Sequence, residues 1–114
     1  MITLDEAKLY LRVDSYFEDD LILSLVASAE ALCSDIARLS ADEWNAVSNY
    51  SGTGGLIIRS EEKTHAEILQ IKDLLHVAIL YALGYLYEHR EEADHHDLSI
   101  TLRNLLASVR EGVL

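Results

Sequence analysis

The side chains best suited to chemistry lie in one acidic segment, residues 88–97, which reads EHREEADHHD. Its three histidines are His89, His95 and His96. Imidazole and carboxylate groups bind zinc and iron, but ligands on helices converge only when they lie one turn apart. Glu92 and His96 have that spacing, but we expect a helix to break within the segment. We therefore predict a solvated acidic turn and no metal site, with metal binding through the three histidines as an alternative.

No other group of residues matches a catalytic pattern. The chain contains no nucleophile elbow and no local Cys–His signature. Adjacent carboxylates such as Asp19 and Asp20 point about 100° apart on a helix, so they do not share a proton. The glycines of residues 48–60, SNYSGTGGLIIRS, are not followed by the Lys and Ser/Thr of a phosphate-binding loop. We expect no catalytic residues, no cofactor and no enzymatic activity.

Composition limits the classes of partner. The 114 residues contain 20 acidic and 9 basic side chains, a formal charge of −11, and the basic residues do not cluster in the sequence. Nucleic-acid binding through phosphate neutralisation is therefore not expected. The single cysteine, Cys33, lies on an apolar helical stripe and is expected to be packed and unreactive. The longest nearly apolar run, residues 74–87, would span about 21 Å as a helix, which is too short for a bilayer.

The pattern of apolar residues predicts an all-α fold in one domain, residues 1–114. Helices are expected over 4–12, 16–39, 65–92 and 98–111, with a single turn at 41–47 that carries Trp44. Possible capping boxes precede four of these segments, at Thr3/Glu6, Ser15/Glu18, Ser40/Glu43 and Thr64/Glu67. Residues 48–60 are predicted to form a flexible Gly-rich loop in which residues 56–58 are prone to form a short β segment. The result is a small bundle of four to five helices around a long central helix.

The second half of the central helix, LLHVAILYALGYLY, is apolar almost all the way round. A helix of that character must be buried on every side. Two shorter helices of the same small chain would not cover it, so we expect neighbouring subunits to supply part of the cover. Tyr81 and Tyr85 share a face one turn apart, and tyrosine suits subunit interfaces because it combines a large apolar body with a hydroxyl group.

Two stretches of the chain resemble small phage head–tail connector proteins, also called head-completion or adaptor proteins. The first includes Leu11, Arg12, Asp14 and Asp20, within KLYLRVD and DDLI. The second is GYLYEHRE, which includes Glu88 and Glu91 and resembles a "YLYENRE"-like end of the family's central helix. The chain departs from the family pattern at His89, where asparagine is more usual, and in an insertion at 41–63.

The resemblance implies a structural, non-catalytic subunit at the head–tail junction of the virion, assembled in the host cytoplasm. Such subunits form a ring of about twelve copies below the portal, extend the DNA channel and dock a downstream stopper protein. An acidic channel wall would let DNA pass without specific binding. The expected self or partner interfaces are Tyr85, Tyr87 and Arg90, the loop residues Ile57 and Ile58, and Trp44. An unrelated small helical interaction module is the alternative.

Overall fold

The computed structural model describes residues 1–53, 55–91 and 94–112. Over these ranges the helices are α1 (Leu4–Leu11), α2 (Asp19–Ile36), α3 (Ala41–Ser48), α4 (His65–Glu88), α5 (His96–Leu105) and α6 (Ala107–Arg110). The strands are β1 (Leu56–Ile58) and β2 (Glu61–Lys63). The mostly helical bundle with one long central helix that the sequence predicts is confirmed.

Helix α4 is the centre of the bundle. Its 24 residues span about 36 Å, most of the 43 Å long axis of the molecule. Helices α1, α2, α3 and α5 all pack against it. Its buried face consists of Ile68, Ile71, Leu75, Ala78, Ile79, Ala82 and Leu83. Burial of this apolar face stabilises the fold, since apolar surface removed from water contributes about 25 cal/mol per Å².

One face of α4 is left uncovered by the rest of the chain. Leu69, Val77 and Tyr81 follow one another on it at intervals of eight and four positions and are 41%, 56% and 41% exposed. Residues at this spacing form a stripe along one side of a helix. A single copy of the chain therefore does not provide the complete cover that the sequence of α4 calls for. Among the described helices, none combines the length and the apolar character needed to cross a bilayer.

The helix starts follow three of the four predicted caps. Complete capping boxes form at Ser40/Glu43 and Thr64/Glu67, and the Thr3 hydroxyl accepts from the amide of Glu6. The predicted Ser15/Glu18 box is wrong. Helix α2 begins at Asp19, and the Glu18 carboxylate accepts hydrogen bonds from Tyr87 and Arg90 instead. The Arg90 guanidinium is a charged donor, and its hydrogen bond to a carboxylate is stronger than one between neutral groups, which favours this pairing.

Three further boundaries differ from the prediction. Helix α4 ends at Glu88 and not at residue 92, and the His89 ring lies 2.9 Å from the carbonyl oxygen of Tyr85 in its last turn. The last helix is divided at Leu106, whose side chain is completely buried. The predicted single turn at 41–47 is the eight-residue helix α3.

The Gly-rich region leads into a β-hairpin. Strands β1 and β2 pair antiparallel, with Leu56 opposite Lys63 and Ile58 opposite Glu61. Arg59 and Ser60 form the turn, and their φ angles are positive, at 53° and 66°, as in a type I′ hairpin turn. The β segment at 56–58 is confirmed, whereas β2 was not expected because the sequence Glu-Glu-Lys has low strand propensity.

Candidate functional site

The two stretches that carry the family resemblance meet in the folded chain. The end of α1 and the last turns of α4 line a groove of about 430 Å³. We call it the α1–α4 groove; its walls are Tyr10, Leu11, Arg12, Tyr81, Gly84, Tyr85, Tyr87 and Glu88. It combines aromatic rings with one charge of each sign, and such mixed concave surfaces suit the binding of another protein.

The groove depends on a close approach between α1 and α4. A Cβ atom at Gly84 would lie 3.2 Å from Cε2 of Tyr10, closer than an ordinary van der Waals contact. Glycine inside a helix is less favourable than alanine by about 1 kcal/mol. Because Gly84 has only a hydrogen atom in place of a side chain, the Tyr10 ring has room to lie across α4.

A three-residue contact, the Glu18 clamp, fixes the start of α2 against the end of α4. The Tyr87 hydroxyl donates to Glu18 Oε1 at 2.7 Å, and Arg90 Nη1 donates to Oε2 at 2.9 Å. The guanidinium of Arg90 also lies over the Tyr87 ring, 4.9 Å from its centroid. Two hydrogen bonds lower the pKa of the Glu18 carboxyl, the larger effect coming from Tyr87 and the smaller from Arg90. The hydrogen bond between Tyr87 and Glu18 in turn raises the pKa of Tyr87.

The clamp changes the roles expected of Tyr87 and Arg90. The sequence places both at an interface with a neighbour, whereas the structure uses both inside the chain to bind Glu18. Their contact with another protein stays a prediction. Tyr85 lies between two histidine rings, stacked on His89 with centroids 4.1 Å apart and edge-on to His95 at 6.0 Å.

The segment beside the groove exposes large apolar side chains that the sequence analysis missed. Leu9, Tyr16 and Phe17 are 81%, 74% and 84% exposed, and the Tyr16 and Phe17 rings stack with centroids 5.0 Å apart. We call these three residues the α1–α2 corner. The sequence pattern places Tyr16 and Phe17 in a helix, whereas α2 begins at Asp19. Two adjacent aromatic residues ahead of an acidic first turn could have indicated an exposed segment before the helix. Exposed apolar groups of this size mark interaction sites.

The other predicted interface residues lie at the opposite end of α4. Ile57 in β1 is 71% exposed, whereas its neighbour Ile58 is buried in the core. Trp44 in α3 is half-buried and packs against the core. The hairpin immediately precedes the first residue of α4, and the α1–α4 groove lies at its last turns.

The remaining predicted residues divide between the groove and its surroundings. Leu11, Arg12 and Glu88 line the groove; Asp14, Asp20 and Glu91 are exposed beside it or at the nearby helix ends. In the part of the chain that the structure describes, no three His, Cys, Asp or Glu side chains converge as metal ligands. Glu92, which the sequence pairs with His96, lies outside the described residues.

Charge is distributed unevenly over the surface. All nine basic side chains lie in the described ranges, and six of them bind groups of the same chain: Lys8, Arg59, Lys63, Lys72, Arg90 and Arg110. Arg12, Arg38 and Arg103 have no hydrogen-bond or ion-pair partner among the described residues. Most of the exposed, unpaired charge is therefore acidic.

Comparison with known proteins gave one finding. A family model described as phage gp6-like head-tail connector protein matches residues 1–113. Neither the curated proteins nor the solved structures gave a significant match.

Proposed function

Because the chain belongs to the phage gp6-like head-tail connector family, we propose that it is one subunit of a ring below the portal that extends the DNA channel. The family is structural, acts at the head–tail junction of the virion and interacts with other head or tail proteins. The family match over residues 1–113 is the observation that carries the proposal. Assembly of about twelve copies in the host cytoplasm would precede docking of a downstream stopper protein.

The uncovered face of α4 supports self-association. Val77 and Tyr81 remain exposed on a helix whose other face is the centre of the core. A ring requires a heterologous contact, in which one surface of a subunit meets a different surface of the next. The exposed stripe of α4 and the surfaces at its two ends offer such different surfaces on one chain.

The α1–α2 corner supports docking of a second protein. Its three side chains are among the most exposed apolar groups described, and the Glu18 clamp holds the segment that carries two of them. A surface held in place before binding loses less conformational entropy on association. We assign this corner to apolar segments of the portal or the stopper protein.

The charge distribution supports a channel that does not retain DNA. The chain has a net charge of −11, and six of its nine basic groups are engaged internally. Carboxylates facing the lumen would repel phosphate groups and prevent adhesion. Replacing lumen-facing carboxylates by amides should slow DNA ejection, and unchanged ejection kinetics would count against this role.

The absolute mass in solution tests the ring. Light scattering behind a sizing column, with and without portal protein, should give a species of about twelve protomers. The double variant Tyr16→Ser/Phe17→Ser should lose binding to portal or stopper while remaining folded. Leu23→Ser/Ile100→Ser is a matched control, because these apolar residues are also exposed but lie on α2 and α5. A chain that stays monomeric with portal present would overturn the proposal.

A further inference from the structure

Four arginines from three separate parts of the sequence come together at the C-terminal end of α2. The guanidinium of Arg59 binds the carbonyl oxygens of Ala37 and Val109, and Arg110 Nη1 donates to the carbonyl of Ile36 at 3.0 Å. Arg38 lies one residue beyond Ala37, and Arg103 is close enough to act electrostatically on Arg110. The sequence shows no basic cluster, and the fold creates one.

Two of these arginines stabilise the fold. Helix α2 has no basic residue in its own last turn, so its final carbonyl groups need donors from elsewhere. Arg59 from the hairpin turn and Arg110 from α6 supply them. Their positive charges also oppose the partial negative charge at the end of the helix.

The side chains of the other two arginines, Arg38 and Arg103, donate to no helix carbonyl among the described residues. Arg38 and Arg103 are exposed and lack a hydrogen-bond or ion-pair partner within the described residues. Arg38 occupies the left-handed region, with φ of 58°, in the turn that ends α2. The pKa of Arg110 is lowered, first by burial and then by the charges of Arg38 and Arg103, although Asp35 and Glu111 act in the opposite direction.

Assembly of this chain poses an electrostatic problem. Copies that each carry a charge of −11 repel one another, so a stable contact needs local charge complementarity. Glu88 and Glu91 are exposed at the end of α4 and have no partner among the described residues. They lie near the start of α2, and the arginines lie at its end, about 27 Å away along its 18 residues. One copy cannot bring the two groups together.

We propose that Arg38 and Arg103 of one copy bind the carboxylates of Glu88 and Glu91 of a second copy. This contact rests on the proposed function and names the surfaces that would form the ring. Arginine binds carboxylates through its planar array of donors, often two at a time. Because the two surfaces differ and lie at opposite ends of the bundle, each copy can use both, and the contact repeats from head to tail.

The first test compares Arg38→Gln/Arg103→Gln with Asn45→Glu/Gln70→Glu. Both double variants make the net charge more negative by two, and Asn45 and Gln70 are exposed on α3 and α4. The arginine variant should need at least about tenfold more protein to assemble at low salt, whereas the control should assemble like the wild type. Circular dichroism establishes that both are folded.

A charge exchange provides the second test. Arg38→Glu/Arg103→Glu and Glu88→Arg/Glu91→Arg should each fail to assemble alone, and their mixture should assemble with the two variants alternating. An arginine variant that assembles at wild-type concentrations would overturn the contact and leave the ring intact. A wild-type chain that is monomeric even with portal would overturn both. If an arginine variant assembles normally but loses affinity for duplex DNA, Arg38 and Arg103 bind phosphate groups of DNA. That result would also overturn the proposed contact.

Discussion

Tyr10 lies across α4 directly over Gly84, so close that a Cβ atom at position 84 would be 3.2 Å from Cε2 of the ring. This contact joins the end of α1 to the last turns of α4, although the two residues are far apart in the chain. It also defines the α1–α4 groove, because both residues form part of its walls. The spacing of apolar residues along the sequence did not indicate it.

Gly84→Ala should increase the free energy of unfolding by about 0.5–1 kcal/mol, because alanine has the higher helix propensity. The Tyr10 ring is 47% exposed and can shift toward solvent by the few tenths of an ångström required. Urea denaturation measures the change. The same substitution in a Tyr10→Ala background should give the larger gain, since no ring has to move. A destabilised Gly84→Ala chain would show that the Tyr10 ring is fixed in place.

The Glu18 clamp should make stability depend on acid pH. The hydrogen bonds from Tyr87 and Arg90 lower the pKa of Glu18 below its ordinary value of 4.5. A lowered pKa contributes stability that is complete above pH 4.5 and is lost as the pH falls through the folded-state value. Urea midpoints between pH 3 and 7 should therefore depend less on pH in Glu18→Gln than in the wild type. Asp20→Asn, a nearby exposed carboxylate, is the control; an unchanged slope in Glu18→Gln would contradict the clamp.

The caps provide a matched series of three substitutions. Ser40→Ala and Thr64→Ala each remove a hydroxyl that accepts from the amide of an N3 glutamate, and each should reduce the free energy of unfolding by about 1 kcal/mol. Ser15→Ala should change it by less than about 0.5 kcal/mol, because Ser15 caps no helix in the structure. Thermal or urea denaturation of the three variants measures these changes in the free energy of unfolding. A loss at Ser15 as large as that at Ser40 would restore the capping box that the sequence suggested.

Cys33 should react with thiol reagents only when the chain unfolds. Its side chain is completely buried, and burial, followed by the charge of Glu30, raises its pKa from 9.0 to about 12. Modification by a disulfide reagent at pH 8 should be at least about 1,000-fold slower than in the urea-unfolded chain. Because Cys33 is the only cysteine, the signal reports one site. Rapid modification without denaturant would mean that the core opens locally around α2.

Removal of the Arg59 side chain should destabilise the junction of α2, α6 and the hairpin. Arg59→Ala leaves the carbonyl oxygens of Ala37 and Val109 without this donor, which should reduce the free energy of unfolding by about 2 kcal/mol. Arg103→Ala removes an exposed guanidinium and should change it by less than about 0.5 kcal/mol. Equal effects of the two substitutions in urea denaturation would refute the capping role of Arg59.

The sequence determined the helical architecture because helices form from local interactions. The spacing of apolar residues and the side chains of Thr3, Ser40 and Thr64 act within a few positions of one another, so the start of α4 could be located to the residue. The excess of apolar residues on α4 likewise indicated that one chain could not cover it. The stripe at Leu69, Val77 and Tyr81 is the face left uncovered.

Tertiary structure alone decided where the distant residues meet. Glu18 had a plausible local partner in Ser15, but its carboxylate accepts hydrogen bonds from Tyr87 and Arg90, because folding places both donors beside it. The arginine cluster and the α1–α4 groove arise in the same way, from side chains that approach only when α1, α2 and α5 pack on α4. Contacts of this kind depend on the packing of the whole bundle, and no local pattern of residue types encodes them.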